Sequence, residues 1–182
     1  MWGEHKCYAA FLYDELEEYE NEIARLSQIL KSSNDDYIAL NNRGMLFWEI
    51  GQDKKAFEDL KRACELSYKD PLPHSNLARF FMAQEQTEQA VILYRKAVQI
   101  DPKNSSSQIS LADVLLSQEN YRESIDHFTM AISASEDIAY FYAQRAKAFD
   151  GLKNKLKAKL DRESANRLDP KRFPKKFGFF RF

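Results

Sequence analysis

Residues 71–104 read PLPHSNLARFFMAQEQTEQAVILYRKAVQIDPKN, and their spacing predicts two helices joined by a short turn. His74, Leu77, Ala78 and Phe81 fall on one helical stripe in the first half. A polar break, Glu85-Gln86-Thr87, follows. Ala90, Leu93, Tyr94, Ala97 and Ile100 then form a second stripe. Asp101-Pro102 stops it, because proline lacks the backbone donor and disfavours helix in the residue before it.

The same unit recurs on either side at a spacing of 34 residues. Gly44, Ala78, Ala112 and Ala146 share one column, Ala56, Ala90, Ser124 and Ala158 a second, and Ala63, Ala97, Ala131 and Ala165 a third. Larger residues fill the columns between them: Phe47, Phe81, Leu115 and Phe149 in the first helices, then Leu60, Tyr94 and Phe128 in the second. Small residues let the two helices of a unit come close, and a large side chain there overpacks them at a cost of roughly 1–3 kcal/mol. A fixed period of this length means one supersecondary unit stacked on copies of itself, each burying its apolar face against the next. The phase gives four units, 37–70, 71–104, 105–138 and 139–172. Carried backwards it places Ala10 on the first small column and Tyr19 in register with Tyr121, but puts Glu22 where a small residue belongs. Residues 1–36 therefore read as a degenerate first repeat or a capping helix, the plainer form being one long helix over 10–31.

The pattern resembles the tetratricopeptide repeat, whose period and small-large-small signature it shares, with the closing Asp-Pro at Asp101-Pro102 and Asp169-Pro170. Ser124 and Arg162 depart from that pattern. The resemblance implies an all-α fold, a solenoid of about five antiparallel helix pairs in a right-handed superhelix. It also implies that the first helices line a concave groove for a peptide or partner subunit, as in adaptors, scaffolds, dedicated chaperones or immunity proteins. The groove residues expected on that basis are Asn41, Met45, Trp48, Asn76, Arg79, Met82, Asp113, Leu116, Tyr140, Gln144 and Lys147. Ile38, Asn42, Leu72 and Ser75 border or share this face. Trp48, Met45 and Met82 are the anchor candidates, the competing role being packing between units. One subclass of the family clamps acidic C-terminal peptides of chaperones with Lys and Asn on one helix, Asn on the next, and Lys plus Arg on a third. Asn41 and Met45 replace the first pair here and Ser106 and Ser110 the last, so no carboxylate-clamp chaperone peptide is expected to bind.

Composition fits a helical array. Apolar residues make up 44% and charged residues 30% of the 182, with only five Gly and five Pro. The opening residues lack a signal-peptide pattern, no apolar run reaches the roughly 18 residues of a membrane span, and Cys7 and Cys64 have no zinc-ligand or redox spacing. A cytoplasmic protein without cofactor or metal is the expectation. Phosphate-binding, dinucleotide, zinc-protease and nucleophile-elbow motifs are absent, and His5, His74 and His127 are scattered, so the chain reads as a non-enzyme.

The formal charge of -1 hides an asymmetry. Residues 1–36 carry nine acids and three bases, residues 139–182 four acids and thirteen bases. Opposite ends of opposite sign point to head-to-tail association of copies. Residues 173–182 lie outside the period and mix Phe173, Phe177, Phe179, Phe180 and Phe182 with Lys175, Lys176 and Arg181. Three roles compete for this tail: folding back over the last repeat, docking in a partner, or touching an anionic membrane or nucleic acid. The last of these is the alternative function from a different class.

Overall fold

The computed structural model describes residues 4–134 and 138–173, with side chains described from Leu16 onward. Among the described residues there are nine helices and no strand: α1 (Glu4–Ser32), α2 (Tyr37–Glu49), α3 (Asp53–Leu66), α4 (Leu72–Ala83), α5 (Thr87–Ile100), α6 (Ser105–Ser117), α7 (Tyr121–Ala134), α8 (Ile138–Gly151) and α9 (Lys155–Leu168). They fall into two compact units that divide between Gln86 and Thr87.

The 34-residue phase is visible in how helices start and stop. Asp36, Asp70 and Asn104 occupy one column. Asp36 accepts from the amides of Ile38 and Ala39 at 3.0 Å, Asp70 from that of Leu72 at 2.9 Å, and Asn104 from that of Ser107 at 2.9 Å. Each satisfies donors that the first turn leaves without partners. The first helices end alike too. Gly51, Glu85, Glu119 and Lys153, each 34 apart, hold φ of 74°, 59°, 59° and 59°. The residue after each donates back to the first helix, as in Gln52 N to Phe47 O at 2.7 Å and Asn120 N to Leu115 O at 2.9 Å, the bond of a glycine-type helix stop. Only the 37–70 repeat places glycine there. Glu85, Glu119 and Lys153 are exposed, so replacing any of them by glycine removes the left-handed strain and little else. Each replacement is expected to raise stability by roughly 0.5–1 kcal/mol, read as a higher urea midpoint at unchanged slope.

In the first unit, α1 packs on α2, α2 on α3, and α4 on both α2 and α3. Leu26 and Leu30 of α1 join Ala39, Leu40 and Ala63 in a buried cluster flanked by Tyr37 and Leu66. A Cβ on Gly44 would lie 2.9 Å from Leu60 Cγ and 3.1 Å from the Leu60 amide nitrogen, so α2 and α3 touch at backbone range there. Residues 4–32 form one unbroken helix rather than a helix pair. No glycine, proline or turn chemistry interrupts that stretch, and Glu22 denies it the small residue a close hairpin needs.

In the second unit α5 packs on α6, α6 on α7, α7 on α8 and α8 on α9. Ala112, Phe128, Ala131 and Phe141 form its described core, with Ile109, Leu116, Ile132 and Tyr140 packed against it. Across both units the alanines of the three small columns are at most 1% exposed. The departures from the repeat pattern have local explanations. Ser124 is fully buried and donates its hydroxyl to the Ala112 carbonyl at 2.9 Å. Arg162, in the large-residue column, reaches out to pair with Asp150.

Candidate functional site

The groove residues of the first unit stand on α2 and α4. Asn76 Nδ2 donates to Asn41 Oδ1 at 2.9 Å, and Asn41 Nδ2 donates to Asn42 Oδ1 at 3.1 Å. Asn41 and Asn76 are 3% and 7% exposed, so they bind each other across the helices and are not open donors for a ligand. Asn42, at the end of this chain of amides, is exposed. Trp48 is half-buried. Its ring meets Phe80 edge-on at 5.8 Å, and the Arg79 guanidinium lies 5.9 Å from its centroid. Packing and exposure therefore share this side chain. Met45 and Met82 are half-buried and Arg79 is exposed.

Beside the amides lies a pocket of about 230 Å³ lined by Tyr37, Ile38, Asn41, Asn42, Asp70, Leu72 and Pro73. Its apolar rim is open: Ile38 is 55% and Leu72 52% exposed. The Tyr37 hydroxyl is pushed above its ordinary pKa, by lost solvation first and then by the neighbouring Asp70 carboxylate, and so stays a neutral donor. Tyr37, Asp70 and Pro73 escaped the spacing argument. A signal existed, since Asp70 shares its column with the caps Asp36 and Asn104.

In the second unit α6 and α8 bring together Asp113, Tyr140 and Gln144. The Tyr140 hydroxyl donates to Asp113 Oδ2 at 3.1 Å and accepts from Gln144 Nε2 at 2.5 Å. Burial raises the Asp113 pKa, against the pull of the Tyr140 hydrogen bond and the Lys147 charge. Gln144 Oε1 is buried without a hydrogen-bond partner. Leu116 is half-buried against the core of this unit and Lys147 is exposed. The Arg172 guanidinium lies 5.4 Å from the Tyr140 ring and 5.3 Å from that of Phe173. Phe173 is itself held by its carbonyl, which accepts from Asn166 Nδ2 at 2.7 Å. The remaining tail residues, Lys175, Lys176, Phe177, Phe179, Phe180 and Phe182, lie outside the described residues.

Burial accounts for the remaining reactive types. His74 is 7% exposed in its packing column. His127 Nδ1 lies 2.6 Å from Gln108 Oε1, and burial lowers its pKa. Burial pushes the Cys64 thiol up to about 12, with Glu65 adding to the shift, which leaves no thiolate for chemistry. Among the described residues no three His, Cys, Asp or Glu side chains gather to hold a metal. No described helix is long and apolar enough to cross a membrane.

Residues 37–70 and 74–104 match the family model of the tetratricopeptide repeat. These two stretches are tetratricopeptide repeats. It is 26% identical over 95 residues to small glutamine-rich tetratricopeptide repeat-containing protein 2 of Mycosarcoma maydis, a match covering 52% of this chain and 27% of that protein. The chain spans about a quarter or less of the length of the curated relatives it matches. Among solved structures it is similar to MamA, with a TM-score of 0.75 at 17% identity over 86% of this chain and 91% of the other. It is also similar to YrrB, described as a TPR protein with an unusual peptide-binding site, with a TM-score of 0.70 at 16% identity over 89% and 84% of the two chains. These likenesses establish an all-α solenoid of tetratricopeptide type. The repeats support a protein-interaction module.

Proposed function

We propose that this protein is a non-enzymatic adaptor that holds a peptide segment of a partner on the exposed faces of its first helices. The observation that carries the reading is the pocket between α2 and α4, with Ile38 and Leu72 open at its rim and a fixed chain of amides along one wall. Such a pocket suits one bulky apolar side chain. Asn42 is placed to bond the backbone beside it, and the buried Asn41–Asn76 pair holds Asn42 in orientation. Trp48 and Arg79 extend the surface with an aromatic face and a charge, the residue types that anchor interfaces.

Peptides selected from a random library on the full chain test this. Binding followed by Trp48 emission in a Trp2→Phe background is expected to weaken about tenfold or more with Ile38→Asp or Leu72→Asp, since each places a charge where an apolar side chain is to be buried. Both positions are surface sites, so circular dichroism should stay unchanged. Ligands that bind both variants at full strength overturn the pocket. Affinity that falls by several orders of magnitude between about 50 and 200 mM salt would instead mark phosphate contacts and a nucleic-acid or anionic-surface role.

Association between copies is a second reading, favoured by exposed Glu17, Glu18 and Glu20 on α1 and exposed Lys153, Lys155, Lys157 and Lys159 at and before the start of α9.

A further inference from the structure

Helix α9 presents two exposed leucines where each earlier repeat has at least one charged residue. Leu152 is 41%, Leu156 70% and Leu160 52% exposed. Leu156 and Leu160 lie four residues apart on α9, one above the next, opposite Ala158, Asp161 and Ala165, which are buried in the direction of α8, and Leu152 lies in the turn before the helix. The column of Leu156 holds Lys54, Glu88 and Arg122 in the earlier units, and that of Leu160 holds Glu58, Ile92 and Asp126. All six are exposed. Lys54, Glu58, Arg122 and Asp126 stay exposed although α4 packs against α3 and α8 against α7. A further repeat in the same phase would thus leave Leu156 and Leu160 open as well. Something other than array growth is needed to cover them.

Charge selects the occupant. Lys153, Lys155, Lys157 and Lys159 rim the leucines, and all are exposed. The acids of α9 are engaged: Asp161 is buried against Arg145, and Glu163 sits 3.9 Å from Lys159. Two copies of this face would set lysine against lysine. Residues 174–182 carry Lys175, Lys176 and Arg181 and no acid, so they meet the same repulsion. An acidic helix with its own apolar residue matches the surface, and the chain contains one. Residues 14–20 of α1 read DELEEYE, five acids around Leu16, which is 39% exposed. Described burial in α1 is confined to Leu26 and Leu30.

We infer that the Leu156–Leu160 face of α9 in one copy, with Leu152 in the turn before it, receives the acidic stretch of α1 from a second copy, around Leu16. The contact rests on the end-to-end association stated above and gives it a surface. It joins different patches of the two copies, so it propagates into chains or closes into a ring.

Sedimentation of the full chain and of variants at about 10 mM salt, where charges act over roughly 30 Å, tests this. Wild type is expected to form dimers and longer species that dissociate as salt rises. Leu156→Gln with Leu160→Gln, and separately Glu17→Lys with Glu18→Lys and Glu20→Lys, should each weaken association about tenfold or more. Mixing the two variants should restore a dimer and nothing longer, because each contributes one intact half. Phe179→Ser with Phe180→Ser should associate like wild type. A monomeric wild type overturns both end-to-end association and this surface. A leucine variant that associates normally, a mixture that fails to pair, or a serine variant that falls apart overturns the surface alone.

Discussion

Arg145→Met is expected to lower the free energy of unfolding by about 3 kcal/mol, while the double variant Arg145→Met with Asp161→Leu should return to within roughly 1 kcal/mol of wild type. Arg145 grips Asp161 with two bonds, Nε to Oδ2 at 2.8 Å and the second terminal nitrogen to Oδ1 at 2.9 Å, and its remaining nitrogen bonds Thr129 Oγ1 at 2.9 Å. The side chains are only 16% and 8% exposed. Removing one partner leaves the other charge buried without compensation, whereas removing both restores an ordinary apolar contact. The first unit repeats the design: Arg43 binds Asp59 at 2.6 and 2.8 Å and Ser27 Oγ at 3.0 Å, each residue lying three periods before its counterpart. Between them the same columns hold Leu77 with Leu93 and Leu111 with His127. The chain thus places two leucines in the columns where it elsewhere places an arginine and an aspartate. Urea denaturation of both single variants and the double variant closes the cycle. A double variant as unstable as Arg145→Met would mean that the pair does more than neutralise its own burial.

What could be read from the sequence was whatever the period repeats. Small columns have to recur because every helix pair must approach closely, and every alanine in them is buried. The turns followed from polar breaks and Asp-Pro, since those residues act locally. Features resting on a departure from the repeat were harder to see. Arg43 with Asp59 and Arg145 with Asp161 recur at three periods rather than one, so a search for residues shared by adjacent units passes over them. Glu85, Glu119 and Lys153 hide a glycine-type helix stop behind side chains that strain to adopt it. Asn41 and Asn76 were placed on the correct helices, but spacing by three and four does not separate a face open to solvent from one whose amides reach the neighbouring helix at 2.9 Å. The acidic character of α1 was plain, yet its continuity was not, because Tyr19 matches the start of a second helix while nothing before it forces a break. The leucines of α9 are ordinary helix residues until their columns show charge at five of the six matching places in the other repeats.

The second large effect is expected at Phe128. Its side chain is fully buried and fills the space between Ala112, Ala131 and Phe141. Three small or flat neighbours leave little that can collapse into the gap, so Phe128→Ala should cost about 4 kcal/mol, within the usual range for a core phenylalanine. Phe128→Leu, which keeps most of the volume, should cost less than half of that. Where the loss is felt follows from the repeat architecture. Helices in such an array contact their neighbours and little else, so stability is a sum of local terms. Around Phe128 those neighbours are α6 and α8, which both pack on α7. Hydrogen exchange under native conditions should therefore speed up across α6, α7 and α8 of the Phe128→Ala protein, while amides of α2 and α3 around Gly44 and Leu60 keep their wild-type protection. Uniform loss of protection through all the helices would show instead that the array unfolds as one cooperative block, with stability no longer a sum over repeats.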